Sequence, residues 1–234
     1  MVTRHLSHDE DAYFGRNTAY EDEKNRRRLD RIERALQGLA GRRLLEVGVA
    51  YGAFLLAARE RGMQVRGLEL ESSLAARANT HLGEDTVLVG NAAEPWPFED
   101  ESFDVIAMFD VLEHLESPRL GIDHAKRLLT PGGVLMMTTP NDGLGYALRR
   151  LPVFGIPDRN PGHISVAPPD TWRHAMTAAG LEIVDDWYGE HLGHLRGLTR
   201  LDMLAKRFGA DPSRWSLFDP LQLSIGLVAR RPAG

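Results

Sequence analysis

From about residue 40 onward the chain alternates short apolar runs with stretches whose apolar positions recur at helical spacing. Leu44-Leu45-Glu46-Val47 reads as a strand, Ala53 to Arg61 as a helix that Gly62 stops, and Val65-Arg66-Gly67-Leu68-Glu69 as a second strand. A helix from about Leu74 to Leu82, a strand Thr86 to Val89 and a turn-rich crossing Glu94-Pro95-Trp96-Pro97 follow. A fourth strand, Phe103 to Phe109, leads to a helix from Pro118 to Leu129 and a fifth strand, Val134 to Thr139. The pattern then breaks into a Gly- and Pro-rich stretch as far as Pro169, long for a bare connection and read as a lid or substrate-facing insertion. It resumes with a helix from Asp170 to Ala179, a strand Leu181 to Val184, helical cover over His191 to Trp215 and a last strand, Leu221 to Val228. The alternation predicts an α/β fold with a mostly parallel sheet covered by helices on both faces. An N-terminal helical lead-in occupies residues 1–40, with Leu29, Ile32, Leu36 and Leu39 as its apolar stripe.

Composition narrows this picture. At 234 residues and 43% hydrophobic, the chain is expected to form one domain: lead-in or lid 1–40, core 41–188, substrate-side cover at 141–169 and 189–220, and last strand 221–230. No apolar run spans a bilayer and the first residues lack a signal-peptide stretch, so a cytoplasmic location without a membrane partner is expected. The absence of cysteine removes thiolate metal sites and thiol nucleophiles. A net charge of −5 disfavours a nucleic-acid partner and leaves small-molecule chemistry as the leading class. The one conspicuous basic run, Lys24-Asn25-Arg26-Arg27-Arg28, is interleaved with acids, pairs Glu23 with Arg27 at i,i+4, and reads as a solvated helical face.

In a parallel sheet of this kind the ligand sits outside the carboxyl ends of the strands, so the chemistry belongs to the loops that follow them. The first such loop, Gly48-Val49-Ala50-Tyr51-Gly52, joins a strand to a helix through small residues that let the backbone approach a ligand, and it lacks the G-x-G-x-x-G spacing of dinucleotide binders. Glu69 ends the second strand and Asn91-Ala92-Ala93 follows the third. Phe109-Asp110-Val111-Leu112-Glu113-His114 ends the fourth, and Leu129-Thr130-Pro131-Gly132-Gly133 precedes the fifth.

In this order, over roughly residues 40–188, the motifs resemble the class I S-adenosylmethionine-dependent methyltransferases. The resemblance is nearest to the ubiquinone-biosynthesis O-methyltransferase-like branch, which includes many natural-product tailoring enzymes. It implies a Rossmann-like, seven-stranded fold with an antiparallel last strand, S-adenosylmethionine as cofactor and S-adenosylhomocysteine as product. It assigns cofactor contacts to Glu46, Gly48, Ala50, Gly52, Glu69, Leu70, Asn91, Ala92, Phe109 and His114, with Ala50 standing where the family usually has glycine and Asn91 where it usually has aspartate. Glu69 is expected to accept from the ribose hydroxyls and Asn91 to offer a carbonyl to the adenine amino group.

For the acceptor, His163 and His114 are the catalytic candidates, since histidine titrates near neutral pH and serves as a general base. His163 reads equally as a loop pin, whereas His114 reads rather as a residue packed near the cofactor and hydrogen-bonded to orient the helix that follows. Asp110, Glu113 and His114 place two carboxylates and an imidazole within about one helical turn, a possible but not favoured divalent-metal set. The expected reaction is methyl transfer to a small organic acceptor, with oxygen preferred on branch analogy. A small amine, a metal-assisted RNA 2′-hydroxyl, and cofactor binding without transfer are the alternatives.

Overall fold

The computed structural model describes residues 18–142, 161–189 and 224–233. Residues 1–17 of the lead-in, residues 143–160 of the insertion and the expected cover over 191–215 lie outside the described residues.

Helix α1 (Thr18–Leu36) comes first, then β1 (Arg43–Val47), α2 (Ala53–Glu60), β2 (Gln64–Glu69), α3 (Ser72–Leu82), β3 (Val87–Val89) and β4 (Phe103–Phe109). A single 3₁₀ turn, Leu112–His114, precedes α4 (Pro118–Leu128), β5 (Leu129–Pro140), α5 (Pro169–Ala178), β6 (Glu182–Tyr188) and β7 (Ser224–Arg230). The strands form one seven-stranded sheet in the order β3-β2-β1-β4-β5-β7-β6, parallel from β3 to β5. β7 runs antiparallel to both of its neighbours, β5 and β6.

Strand alternation sorts the core into two layers. Leu45, Val47, Ile106, Met108, Leu135 and Met137 face α4 and α5. Leu44, Val105, Ala107, Val134 and Met136 face Leu29 and Ile32 of α1 and Phe54 and Leu55 of α2. Both faces of the sheet are therefore buried, which is why these strands read as continuous apolar runs. Helix α4 starts on Pro118, where the missing N–H is no loss, and turns Ile122, Ala125 and Leu128 inward.

Two boundaries depart from the sequence reading. β5 begins at Leu129, because Leu129 pairs with Phe103 and the Pro131-Gly132-Gly133 segment is continued in the sheet by bonds from the Gly132 amide to Arg231 O and from the Arg231 amide to Gly133 O. β6 runs on through Asp185 and Asp186 to Tyr188, and both acids are matched by cations. Arg31 of α1 donates to Asp185 at 2.6 Å and Arg173 of α5 to Asp186 at 2.7 Å. Trp187 then lies against Gly226 of β7, where a Cβ would fall 2.0 Å from the indole ring.

The basic run divides. Arg26 and Arg27 bond Glu23 on an exposed face, including the expected Glu23–Arg27 pair at 2.7 Å. Arg28, 5% exposed, and Asn25 instead turn inward, so part of this run is not a solvated face. Arg28 precedes Ile32 by one helical turn and so shares the side of α1 that meets the sheet.

Candidate active site

β1 and β4 are neighbours whose connections leave in opposite directions, β1 toward β2 and β3, β4 toward β5. That makes the crevice beyond Val47 and Phe109 the switch point at which an open α/β sheet accepts a ligand.

The turn after β1 is built on three left-handed residues: Gly48 at φ +79°, Ala50 at +50° and Gly52 at +84°. A Cβ on Gly48 would come 2.5 Å from Cγ2 of Val111, so glycine here lets the turn after β1 touch the turn after β4. Ala50 adopts the conformation that a glycine would take freely, which costs a residue with a Cβ about 1–2 kcal/mol. Its amide is held there by Oε2 of Glu69 at 2.8 Å, while Oε1 of Glu69 accepts from the Glu71 amide at 3.0 Å. Glu69 thus braces the turn from the adjacent strand, and an ionised carboxylate still has lone pairs for a ligand.

Beyond Glu69, Leu70 is 66% exposed and Val89, at the end of β3, is 58% exposed, giving two apolar surfaces at adjacent strand ends. Asn91 accepts the Ala93 amide on Oδ1 at 2.9 Å, and its carbonyl retains a second lone pair. The Ala92 carbonyl receives the Trp96 indole N–H at 3.1 Å, which fixes this loop to the core.

Glu46 lies on the α1 side of the sheet, in register with Gly67 on β2 and Ala107 on β4. It is buried, and Oε2 has no hydrogen-bond partner. Burial pushes its carboxyl up to about 8, against the pull of Arg28 and Lys24 of α1 and with a further push from Glu69. The Arg28 guanidinium stacks 3.6 Å above the Phe109 ring, which meets Phe54 edge-on at 4.8 Å. Arg28, read in the sequence as part of a solvated face, thus lies instead at the carboxyl end of β4.

The turn after β4 opens on Asp110, another left-handed residue at φ +55°. Its amide donates to Thr138 O at 2.9 Å and its carboxylate accepts from the Thr138 hydroxyl at 3.4 Å. Glu113 is buried in the 3₁₀ turn, and its carbonyl accepts the amides of Ile164 and Ser165. The Ser165 hydroxyl donates to Leu115 O at 2.7 Å. These bonds fasten residues 162–165 to the 3₁₀ turn and place the His163 ring 4.8 Å from that of His114, edge to face.

His114 Nδ1 lies 2.9 Å from Gly162 O. A carbonyl only accepts, so Nδ1 carries the proton and Nε2 of the neutral ring carries the lone pair. One carboxylate oxygen of Glu113 and one nitrogen each from His114 and His163 lie within 4.8 Å of one another. Asp110 falls outside this cluster. His174 is exposed on α5, whereas Trp172 and Trp187 are buried in the core. A cavity of about 480 Å³ lined by Arg43, Arg66 and Phe98 sits at the amino ends of β1 and β2, away from this chemistry.

Residues 19–186 match the family described as methyltransferase domain. A probable S-adenosylmethionine-dependent methyltransferase of Mycolicibacterium smegmatis is 33% identical over 73% of this chain and 62% of its own length. A ubiquinone biosynthesis O-methyltransferase of Alkalilimnicola ehrlichii is 31% identical over 49% of this chain and 48% of its own length. The chain therefore spans about half to three-fifths of these relatives. Among solved structures, an S-adenosylmethionine-dependent methyltransferase from Archaeoglobus fulgidus superimposes with a TM-score of 0.67 at 16% identity, covering 94% of this chain and 97% of its own, a likeness of fold. No helix among the described residues is long and apolar enough to cross a membrane. With the strand order, the turn after β1 and the family match in agreement, the chain belongs to the S-adenosylmethionine-dependent methyltransferase domain family.

Proposed function

We propose that the chain transfers a methyl group from S-adenosylmethionine to an oxygen atom of a small organic acceptor, in a phenol, hydroxyl or carboxyl group. The observation that carries this reading is the contact of a braced, glycine-shaped turn with a loop that pairs two imidazoles, at one switch point of the sheet. When bound, the cofactor supplies a methyl group on a sulfonium, a carbon already activated for in-line displacement.

The chain's own residues then bind, align and deprotonate. The remaining lone pairs of Glu69 accept from the ribose hydroxyls, Leu70 and Val89 border the adenine, and Asn91 offers its carbonyl to the adenine edge. Arg28, buried beside Glu46 and Phe109, pairs with the carboxylate of the amino-acid end. His163 takes the acceptor's proton, held against His114, whose Nδ1 is committed to Gly162. Oxygen is favoured over nitrogen because a hydroxyl must lose its proton as it is methylated, which a paired imidazole serves, whereas an amine has only to arrive uncharged. The O-methyltransferases among the relatives support the same choice.

The Glu113, His114 and His163 cluster favours a second reading, in which these three residues hold a divalent ion. One oxygen and two nitrogen donors suit zinc, manganese or a similar cation. Such an ion would act as a Lewis acid on the acceptor oxygen, and both histidines would then be ligands and not bases.

Incubation with methyl-labelled cofactor and a panel of phenols, carboxylic acids and amines, with and without EDTA, tests both readings. Labelled phenol or acid products are expected. Transfer only to amines would overturn the assignment to oxygen, and loss of phenol methylation in EDTA with recovery on adding zinc or manganese would replace His163 as base by the metal reading.

A further inference from the structure

Glu46 stands out among the buried polar groups. Its carboxylate is buried on the side of the sheet that α1 covers, and one oxygen has no partner. The charged groups facing it are Arg28 and Lys24 from α1 and Glu69 from β2, while α2 contributes only apolar side chains such as Phe54 and Leu55 to this layer. An orphan oxygen at a buried carboxylate, two residues before the ligand-binding turn, is a group whose charge responds to what enters the crevice.

We propose that Glu46 discriminates the methyl donor from the spent product through its proton: it is protonated in the free protein, releases that proton to solvent when S-adenosylmethionine binds, and regains one when the product replaces the donor. The inference rests on the cofactor assignment above. The donor carries a sulfonium and an ammonium against one carboxylate and is a net cation, whereas the demethylated product has a neutral thioether and no net charge. A net positive ligand at the end of β1 favours the charged form of Glu46; a net neutral one does not. In the binding step the O–H bond of the carboxyl breaks, its electron pair stays on Glu46 as carboxylate, and the proton passes to buffer. The donor's sulfonium is lost with the methyl group, so the step that ends each turnover also removes the reason for Glu46 to stay ionised.

Donor affinity should accordingly rise with pH up to about 8, where free Glu46 ionises without help, and level off above it. The direct measurement is calorimetric titration with S-adenosylmethionine and S-adenosylhomocysteine at pH 7.5, in phosphate and in Tris, on the wild type and on Glu46→Gln. The quantity read is the difference in proton release between the two proteins, which cancels protons contributed by the ligand and by other groups. With the donor, the wild type should release roughly 0.5–1 proton more than Glu46→Gln; with the product the difference should vanish.

A companion measurement needs no variant. Infrared difference spectra of the wild type should lose a protonated-carboxyl C=O band on adding donor and keep it on adding product. Equal proton release by both proteins, or a carboxyl band that donor leaves in place, overturns the proposal while leaving the cofactor assignment intact. Binding of neither ligand to the wild type overturns both.

Discussion

The turn after β1 and the turn after β4 face the same backbone problem and solve it differently. Each contains a non-glycine residue in the left-handed region, Ala50 at φ +50° and Asp110 at +55°, and each has that residue's amide tied to the next strand of the sheet. For Ala50 the tie is a buried carboxylate, Glu69, 19 residues on along the chain. For Asp110 it is the backbone and hydroxyl of Thr138, 28 residues on and likewise across one βαβ unit, and the histidine pair beyond it depends further on residues 162–165, which are fastened to Glu113 and Leu115. The turn after β1 thus takes its brace from one carboxylate, while the histidine pair beyond β4 depends on a third segment of chain. Change in residues 162–165 should leave that brace in place, so that one fold can keep its donor while its acceptor varies.

This contrast can be broken at four points. The largest effect is expected from His163→Ala, which should lower kcat about 10²- to 10⁴-fold, with donor affinity from calorimetry within twofold of the wild type. A matching loss of donor affinity would mean that the two sides are not separable. Next comes Gly48→Ala, which drives a Cβ into Val111 and should disturb both turns together. Donor affinity should fall about 100-fold or more, whereas Gly132→Ala, with φ +80° but nothing within 4 Å of its Cβ, should shift only thermal stability.

Glu69→Ala should cost donor binding about 1–3 kcal/mol and also lower the melting temperature, since it releases the Ala50 amide. Adding Ala50→Gly to that variant should restore much of the stability and little of the affinity, which separates the brace from the ribose contact. Smallest is Ala50→Gly alone, expected to stabilise the fold by up to about 1 kcal/mol in thermal unfolding, with glycine's greater unfolded-state entropy offsetting part of the relieved strain. A destabilised Ala50→Gly protein would show that the methyl group is packed and not merely tolerated.

The same contrast explains what the sequence revealed. The turns after β1, β2 and β3 were readable because their determinants are local: glycines at forced backbone angles, a carboxylate at the next strand end, an asparagine that closes its own turn. His163 and His114 were each visible as candidates, but their meeting was not, because it depends on hydrogen bonds between segments far apart in the chain. Arg28 was hidden in a run of cations whose neighbours are solvated; only the helical phase set by Ile32 turns it inward. The fold was legible strand by strand, with exceptions at β5 and β6. There a Pro-Gly-Gly segment and a pair of aspartates read as chain breaks until the Arg231 backbone bonds and the pairings with Arg31 and Arg173 are seen.

The insertion of β7 between β5 and β6 sets the order in which the protein can be completed. During synthesis β5 and β6 both emerge before the strand that joins them, so the apolar edge of β5, with Val134 to Met137 fully buried in the finished sheet, waits unpaired until Ser224–Arg230 has left the ribosome. A nascent chain stalled short of that point presents an open strand edge, the kind of surface on which incompletely folded chains aggregate.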